Sequence, residues 1–260
     1  MMPLNRRIPR LWIYDFDGTL SPLARERSAA AILPEAKEIL IELQRLPGQQ
    51  VAVLSSRTLD DLIPRVDIPG LYRGGGSGVE WLLPDGRRTI AEGKMEPLLR
   101  ARKEVFDDLG RIETIPGVEV EDKKWSVAVH VRGVSPDNRA AAFSSLTELA
   151  RTKGIRILRG PEVFEVQILP EIDKLFGVKT LCGLTGFTPQ SGRIVYSGDD
   201  ENDAVAMEWV IRHDGVAFSI GSRPLVQRAI PVANPEALVR EVRKLAGLNG
   251  DERRRKHEPL

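Results

Sequence analysis

Two carboxylates separated by one residue, Asp15 and Asp17, follow the apolar run Leu11–Tyr14 and precede Gly18. In an extended segment, residues i and i+2 point the same way, so the two acids can address one centre. A glycine after them lets the backbone turn tightly and approach a ligand closely. One such carboxylate can attack phosphorus and form an acyl phosphate, while the other transfers a proton. A simple turn rich in Asp and Gly would use the same residues without any chemistry.

Three further polar clusters stand where predicted strands end or helices begin. Ser55 follows the apolar run Val51–Leu54, and the acidic stretch 199–203 follows another apolar run. Lys174 stands where strands and helices begin to alternate again. Each cluster alone has a structural explanation, because serine caps helices and consecutive aspartates form turns. Together they indicate a ligand site, because the carboxyl ends of parallel strands meet at one edge of a sheet.

This set of residues suits phosphoryl transfer. A hydroxyl such as that of Ser55 and an ammonium such as that of Lys174 can hold phosphoryl oxygens. Mg²⁺ prefers hard oxygen ligands and can neutralise the charge that develops on phosphate. The sequence contains no cluster of histidines and cysteines that would favour zinc instead. The candidate ligands for Mg²⁺ are Asp15, Asp17, Asp199 and Asp203.

Composition excludes several classes of protein. With 42% hydrophobic and 29% charged residues, the 260-residue chain has the make-up of a globular protein. A net charge of +1 provides no overall field that would recruit nucleic acid or a membrane. The single cysteine, Cys182, excludes an internal disulfide and suits a reducing compartment. The basic start, residues 1–10, lacks the apolar core of an export signal. We therefore expect a cytoplasmic protein that acts on a small molecule. The sequence is compatible with a monomer.

Apolar strands alternate with amphipathic helices at both ends of the chain, which predicts an α/β fold with a Rossmann-like parallel-sheet core. The predicted strands of this core are Leu11–Asp15, Gln50–Ser55, Arg193–Ser197 and Gly215–Ile220. The predicted helices are residues 34–46, Leu59–Val66, Asn202–Arg212 and a last helix that begins at Asn234 and Pro235.

The middle of the chain has a different pattern. The segment Trp81–Ile90 predicts a hairpin around Pro84, Asp85 and Gly86. Two helices, at about 94–109 and 137–153, are then interleaved with pairs of short strands, which predicts an inserted α+β cap domain. We expect a catalytic core at 1–83 and 171–248, a cap at 84–170 and a flexible tail at 249–260.

The four polar motifs resemble those of the haloacid dehalogenase superfamily. The segment Asp15–Leu20 reads DFDGTL and the segment Gly198–Ala204 reads GDDENDA, which match the first and fourth motifs of that superfamily. Ser55 and Lys174 match the second and third. The resemblance implies a cap that selects the substrate. It implies Asp15 as the nucleophile, Asp17 as the general acid and base, Ser55 and Lys174 as holders of the phosphoryl group, and Asp199 as a Mg²⁺ ligand with Asp203 in support.

A narrower resemblance, to trehalose-6-phosphate phosphatases, extends along nearly the whole chain. It lies in the segments Asp15–Pro22, Leu46–Asp61, Gly75–Glu80, Glu121–Arg132 and Glu165–Lys174. This resemblance implies that residues of the cap grip a disaccharide phosphate. The residues of this grip that it implies here are Lys123, His130, Arg132 and Glu165, and Arg57, Glu80 and Lys124 are further candidates for substrate binding.

Strand alternation bears on these cap residues. It places His130 and Arg132 on the face opposite the apolar residues Val127, Val129 and Val131. A polar pair there suits recognition of hydroxyls and phosphate, although it is equally the solvent face of a cap sheet. Strict alternation also puts Lys124, and not Lys123, on the face of His130. Either the strand is interrupted or Lys124 is the lysine that faces the substrate.

Several residues depart from the pattern of that family and leave the substrate open. These are Ser56, Ser77, Gln167, Ile168, Leu175, Glu201 and Asn202, and none of them is one of the predicted catalytic or metal-binding residues. The alternatives are a phosphatase for another sugar phosphate or a glycosyl-phosphoglycerate, a phosphosugar mutase, and a non-catalytic protein that binds sugar phosphates.

Overall fold

The computed structural model describes residues 8–23, 29–160 and 162–248; the tail expected at 249–260 lies outside this part of the chain. The described strands are β1 (Arg10–Tyr14), β2 (Gln49–Leu54), β3 (Tyr72–Gly75), β4 (Glu80–Leu82), β5 (Arg88–Ile90), β6 (Glu119–Asp122), β7 (Ser126–His130), β8 (Arg156–Arg159), β9 (Val163–Gln167), β10 (Arg193–Gly198), β11 (Val216–Ile220) and β12 (Ile230–Val232). The described α-helices are α1 (Pro34–Gln44), α2 (Leu59–Arg65), α3 (Met95–Ile112), α4 (Pro136–Lys153), α5 (Lys174–Thr185), α6 (Glu201–Arg212) and α7 (Pro235–Ala246).

The larger sheet of the described chain has the strand order β12-β11-β10-β1-β2-β3-β4-β5. Neighbours from β12 to β3 are parallel, whereas β3, β4 and β5 pair antiparallel. The predicted α/β fold is confirmed. Strand β1 lies between β10 and β2, and its residues Leu11–Tyr14 are almost completely buried. A continuous apolar strand of this kind is typical of a parallel sheet that is covered on both faces.

Helices cover both faces of this sheet, and the alternation of side chains along β1 decides which face each residue joins. Trp12 and Tyr14 belong to the hydrophobic cluster that includes residues of α1 and α7. Leu11 and Ile13 belong to the cluster that includes residues of α5 and α6. The two layers of helices hold the carboxyl ends of β1, β2 and β10 side by side.

The inserted part of the chain forms its own layer. Its four strands pair antiparallel in the order β6-β7-β9-β8. Val127, Val129, Phe164 and Val166 are buried in one cluster together with apolar residues of α3 and α4. Among the described residues, no helix combines the length and the apolar character needed to cross a bilayer.

One boundary expected from sequence needs correction. The predicted hairpin is present, but both of its strands belong to the larger sheet, because β4 pairs with β3 and β5 pairs with β4. Trp81, in β4, is fully buried in the core and donates a 2.8 Å hydrogen bond to the Gly78 carbonyl. The insert therefore begins after β5, and not at residue 84. The turn was evident from sequence, whereas the sheet that the hairpin joins depends on tertiary pairing.

Candidate active site

The polar residues of the four motifs lie at one edge of the larger sheet. Asp15 directly follows β1, Ser55 directly follows β2, and Asp199 directly follows β10. Lys174 is the first residue of α5, whose N-cap Asp173 accepts a hydrogen bond from the Phe176 amide. Because β10, β1 and β2 are neighbours in the sheet, the residues that follow them converge.

Lys174 lies at the centre of this group. Its ammonium contacts the Asp15 carboxylate, donates a 2.7 Å hydrogen bond to the Leu54 carbonyl and lies 3.5 Å from Asp203 Oδ1. The side chain is 1% exposed. Burial alone would lower the pKa of Lys174, but Asp15 and Asp203 more than offset that effect and raise it above its ordinary value. Lys174 is therefore a buried cation that is held by acceptors on several sides.

Three carboxylates surround this lysine. Oxygen atoms of Asp15, Asp199 and Asp203 all lie within 4.8 Å of one another. Burial raises the pKa of Asp15 above its ordinary value, and it raises the pKa of Asp199 to about 7. The negative charge of nearby Asp203 adds to both increases. One lysine cannot balance three ionised carboxylates, of which Asp15 and Asp203 are buried and Asp199 is partly buried. Their donors are hard oxygens, and this set of residues fits a bound divalent cation.

Asp203 is the most firmly held of the three acids. It is completely buried and accepts a 2.6 Å hydrogen bond from the Tyr196 hydroxyl. Its other oxygen accepts from the amides of Asp199 and Asp200 at 3.1 and 3.2 Å. Thr19 donates to Asp199 Oδ1 at 3.3 Å. These bonds fix the orientation of the carboxylates before any ligand binds.

Asp17 lies outside the acidic group. Its two oxygens accept hydrogen bonds from Arg57 Nε and Nη2 at 2.7 and 2.6 Å. Strand β1 ends at Tyr14, and the chain then wraps around the Phe16 carbonyl, which accepts from the Leu20 amide at 3.0 Å. The alternation of a strand therefore does not apply to Asp17, although the sequence had predicted that Asp15 and Asp17 point the same way. Among the described residues, the carboxylates that lie close enough to share a metal ion are those of Asp15, Asp199 and Asp203, without Asp17.

Arg57, which was expected to bind substrate, is paired with Asp17 in this structure. Its side chain is 1% exposed. Besides holding Asp17, its guanidinium donates to Asp61 at 2.5 Å and lies 5.5 Å from the centre of the Phe16 ring. The backbone amide of Arg57 donates to Ser55 Oγ at 3.1 Å, which orients the hydroxyl expected to hold phosphate. Arg57 thus contacts two of the predicted catalytic residues, Asp17 and Ser55.

A small, partly open cleft lies between the larger sheet and the insert. The turn Gly76–Gly78 of the core meets Trp125 of the insert at one side of it. Gly76 has φ +56, and a Cβ on it would lie 2.3 Å from Trp125 Cδ1, so only glycine fits there. The polar residues that line the cleft are Ser56, Ser77, Ser126, Glu165 and Gln167, together with the indole of Trp125.

The two cap lysines lie in the turn between β6 and β7 and have different partners. Lys124 has φ +68, and the residues between β6 and β7 form a tight turn, so the alternation of β7 does not reach back to it. Lys123 is buried and donates to Glu165 Oε2 at 2.5 Å. Lys124 instead pairs with Glu80 of β4 and thereby connects the insert with the larger sheet.

His130 and Arg132 are not brought to the cleft. His130 ends β7, four residues beyond Ser126, which corresponds to about 13 Å along a strand. His130 Nε2 lies 2.9 Å from Glu121 Oε2, and Arg132 Nε donates to Glu162 at 2.7 Å. Their carboxylate partners belong to the insert itself. Sequence alternation assigned the correct face of the strand but carried no information about which end of the strand meets the core.

Sequence reasoning missed Trp125 and Gln167 as cleft residues. Glu165 and Gln167 are two residues apart in β9, so their side chains lie on the same face of the strand. Because Glu165 was predicted to bind substrate, Gln167 could have been predicted to lie near the substrate as well. Trp125 carried no comparable signal, because its place in the cleft depends on contact with Gly76, a residue of the other sheet.

The trehalose-phosphatase family model matches residues 13–231. This chain belongs to that family. Trehalose-phosphate phosphatase of Mycobacterium tuberculosis is 35% identical over 208 residues, covering 77% of this chain and 51% of that protein. The same enzyme of Mycobacterium leprae is 35% identical over 237 residues, covering 86% and 52%. The chain thus spans about half the length of these curated relatives of the trehalose-phosphatase family.

Solved structures of low sequence identity share the fold. The C-terminal domain of Candida albicans trehalose-6-phosphate phosphatase gives a TM-score of 0.75 at 18% identity, covering 92% of each chain. A haloacid dehalogenase-like hydrolase from Bacteroides thetaiotaomicron gives 0.61 at 15% identity, covering 91% of this chain and 99% of that one. These structures share the fold that the resemblance to the haloacid dehalogenase superfamily predicted.

Proposed function

We propose that this protein is a Mg²⁺-dependent phosphatase that hydrolyses trehalose 6-phosphate to trehalose and phosphate. The observation that carries this proposal is the buried contact of Lys174 with Asp15, beside Asp199 and Asp203, at the edge of the sheet where Ser55 also lies. Membership of the trehalose-phosphatase family and the names of the curated relatives support the choice of substrate.

In the proposed reaction, the Asp15 carboxylate attacks phosphorus and the bond to the sugar oxygen breaks. Asp17 donates a proton to the departing sugar oxygen, and then takes a proton from the water that hydrolyses the acyl phosphate. Lys174 orients Asp15 and provides positive charge for the phosphoryl oxygens, while Ser55 donates a hydrogen bond to one of them. Both oxygens of Asp17 accept hydrogen bonds from Arg57. At least one of these bonds has to open when Asp17 carries the proton.

The metal site that we propose consists of Asp15, Asp199 and Asp203. When bound, Mg²⁺ would neutralise charge on the phosphoryl group and on these acids. Asp17 was also expected to be a ligand, but its carboxylate is held by Arg57, so we assign it to proton transfer instead. The contacts of Asp203 with Tyr196 and with two backbone amides keep it in place to support the site.

We propose that the insert acts as a cap that selects the sugar. Glu165 lines the cleft and is held by Lys123 and Ser126, so its carboxylate is positioned for sugar hydroxyls. His130 and Arg132 would need a different arrangement of cap and core to reach the same ligand. We also propose that the protein works as a monomer in the cytoplasm, where the free thiol of Cys182 would remain reduced.

Phosphate release from a panel of sugar phosphates, with Mg²⁺ and with EDTA, tests this proposal. We expect trehalose 6-phosphate to be the preferred substrate, EDTA to abolish turnover, and Asp15→Asn to abolish it as well. Asp107→Asn is the matched control, because Asp107 is exposed on α3 within the insert. Preference for a monosaccharide phosphate would refute the substrate, and activity in Asp15→Asn would refute the nucleophile. A wild-type protein without activity on any phosphate ester would favour the non-catalytic alternative.

A further inference from the structure

Two buried polar atoms in residues that line the cleft have no hydrogen-bond partner. They are Oε1 of Gln167 and Nε1 of Trp125. The two residues are 8% and 3% exposed. A buried donor or acceptor without a partner is costly, and native proteins retain few of them. Two such atoms around one cleft suggest that a ligand of the cleft supplies the missing partners.

Their positions place both residues at the junction of cap and core. Gln167 is the last residue of β9, pairs with Ser126 of β7 and shares a face with Glu165. Trp125 directly precedes β7 and packs against Gly76 of the core. On the core side, the cleft reaches Ser56, the neighbour of Ser55. A group bound here would therefore extend from a phosphate held near Ser55 toward the cap.

The chemistry of the lining indicates what such a group would be. The Gln167 carbonyl accepts a hydrogen bond, the Trp125 indole donates one, and the hydroxyls of Ser56 and Ser77 can do either. The charge of Glu165 is already paired with Lys123. A neutral group that both donates and accepts hydrogen bonds fits this lining, which is the property of a sugar hydroxyl.

We propose that Gln167 and Trp125 are specificity-determining residues that bind hydroxyl groups of the sugar from which phosphate is removed. This inference rests on the proposed function and adds to it two residues that recognise the leaving group. Both side chains lie on the cap side of the cleft. Their loss should affect recognition of the sugar and leave the reaction at phosphorus intact.

The test compares two variants on two substrates. Gln167→Leu removes the acceptor at similar size, and Trp125→Phe removes the indole donor but keeps an aromatic ring. We expect each variant to lower kcat/KM for trehalose 6-phosphate about tenfold, mainly through KM, as the loss of one hydrogen bond predicts. For p-nitrophenyl phosphate, which has no sugar hydroxyls, kcat/KM should not change. Gln190→Leu, the same substitution at an exposed turn, should leave both substrates unaffected.

Thermal unfolding of the ligand-free protein gives a second, independent readout. Replacing an unpaired buried amide by an apolar side chain of similar size should not destabilise the fold, so Gln167→Leu should melt at or above the wild-type temperature. Lower affinity for the sugar together with unchanged or higher stability is a combination that a purely structural role would not produce. If Gln167→Leu does not fold, this expectation fails and Trp125→Phe decides the kinetic test.

The outcomes separate this inference from the proposed function. The inference would be overturned if the variants lowered kcat/KM equally for both substrates, or if they did not lower kcat/KM for the sugar phosphate. If the wild type prefers another sugar phosphate, the proposed function is wrong, and the same comparison on the preferred substrate still judges Gln167 and Trp125. If the wild type hydrolyses p-nitrophenyl phosphate but no sugar phosphate, both are overturned.

Discussion

Lys174 shows how tertiary contacts turn an ordinary surface residue type into a buried cation. Lysine is rarely buried unless its charge is paired. Here the ammonium has Asp15, Asp203 and the Leu54 carbonyl around it. These groups lie far from Lys174 in the sequence, and they come together only because β1, β2 and β10 are neighbours. The charge of Lys174 therefore serves the stability of the sheet edge as well as the proposed reaction.

Removal of Lys174 should cost stability as well as activity. Lys174→Met leaves Asp15 and Asp203 buried without their cation, and breaking a buried pair in this way lowers the free energy of unfolding by about 3–5 kcal/mol. Urea unfolding measures the change. Lys179→Met, at an exposed position of the same helix, is the control and should have little effect. Equal midpoints for the two variants would show that Lys174 does not compensate the buried acids.

At the scale of elements, apolar patterning predicted the main strands and helices of the core. Strand β1 and helix α1 begin within one residue of the positions expected from sequence. Two short strands, β3 and β12, were missed. β3 contains Gly74 and Gly75, and β12 contains Pro231, residue types that disfavour strands. Each is a strand because a neighbour, β2 or β11, offers it hydrogen-bonding partners.

Because the turn Gly76–Gly78 contacts the cap, replacing Gly76 by alanine should destabilise the protein more than the same replacement at Gly86. Gly76 and Gly86 both have positive φ, +56 and +85, but only Gly76 would place a Cβ against another residue, Trp125. Gly86→Ala should therefore cost only the backbone strain, about 1 kcal/mol. Gly76→Ala should cost about 2–3 kcal/mol, because it also forces Trp125 to move. Urea unfolding compares the two, and equal losses would show that the cap does not rest on Gly76.

At the scale of the whole molecule, ion pairs connect the insert with the larger sheet and with the returning chain. Lys124 in the turn before β7 pairs with Glu80 of β4. Lys94, just before α3, pairs with Glu171 at 3.0 Å, where the chain returns to the core. Together with the contact of Trp125 and Gly76, these pairs hold the insert against the core. A disaccharide phosphate would require the cap to move away before it could enter.

Charge reversal at the connecting pair should open the molecule. Lys124→Glu places two carboxylates together, and like charges repel, so we expect a larger radius of gyration than in the wild type. Small-angle X-ray scattering measures this change, and added salt should reduce it. Lys103→Glu, an exposed position on α3, is the control with the same change of net charge. Equal radii for both variants would show that the pair between Lys124 and Glu80 does not hold the cap closed.

The sequence alone was enough to predict which polar residues follow the strands at the edge of the sheet. Asp15, Ser55, Asp199 and Lys174 could be placed because buried strands and the turns after them are local features. The tertiary structure decided which of the other candidate residues lie at the cleft. It paired Arg57 with Asp17, left His130 outside the cleft lining and brought Gln167 and Trp125 into that lining. Periodicity specifies the face of a strand, but only the packing of one sheet against another specifies which end of that face meets the ligand.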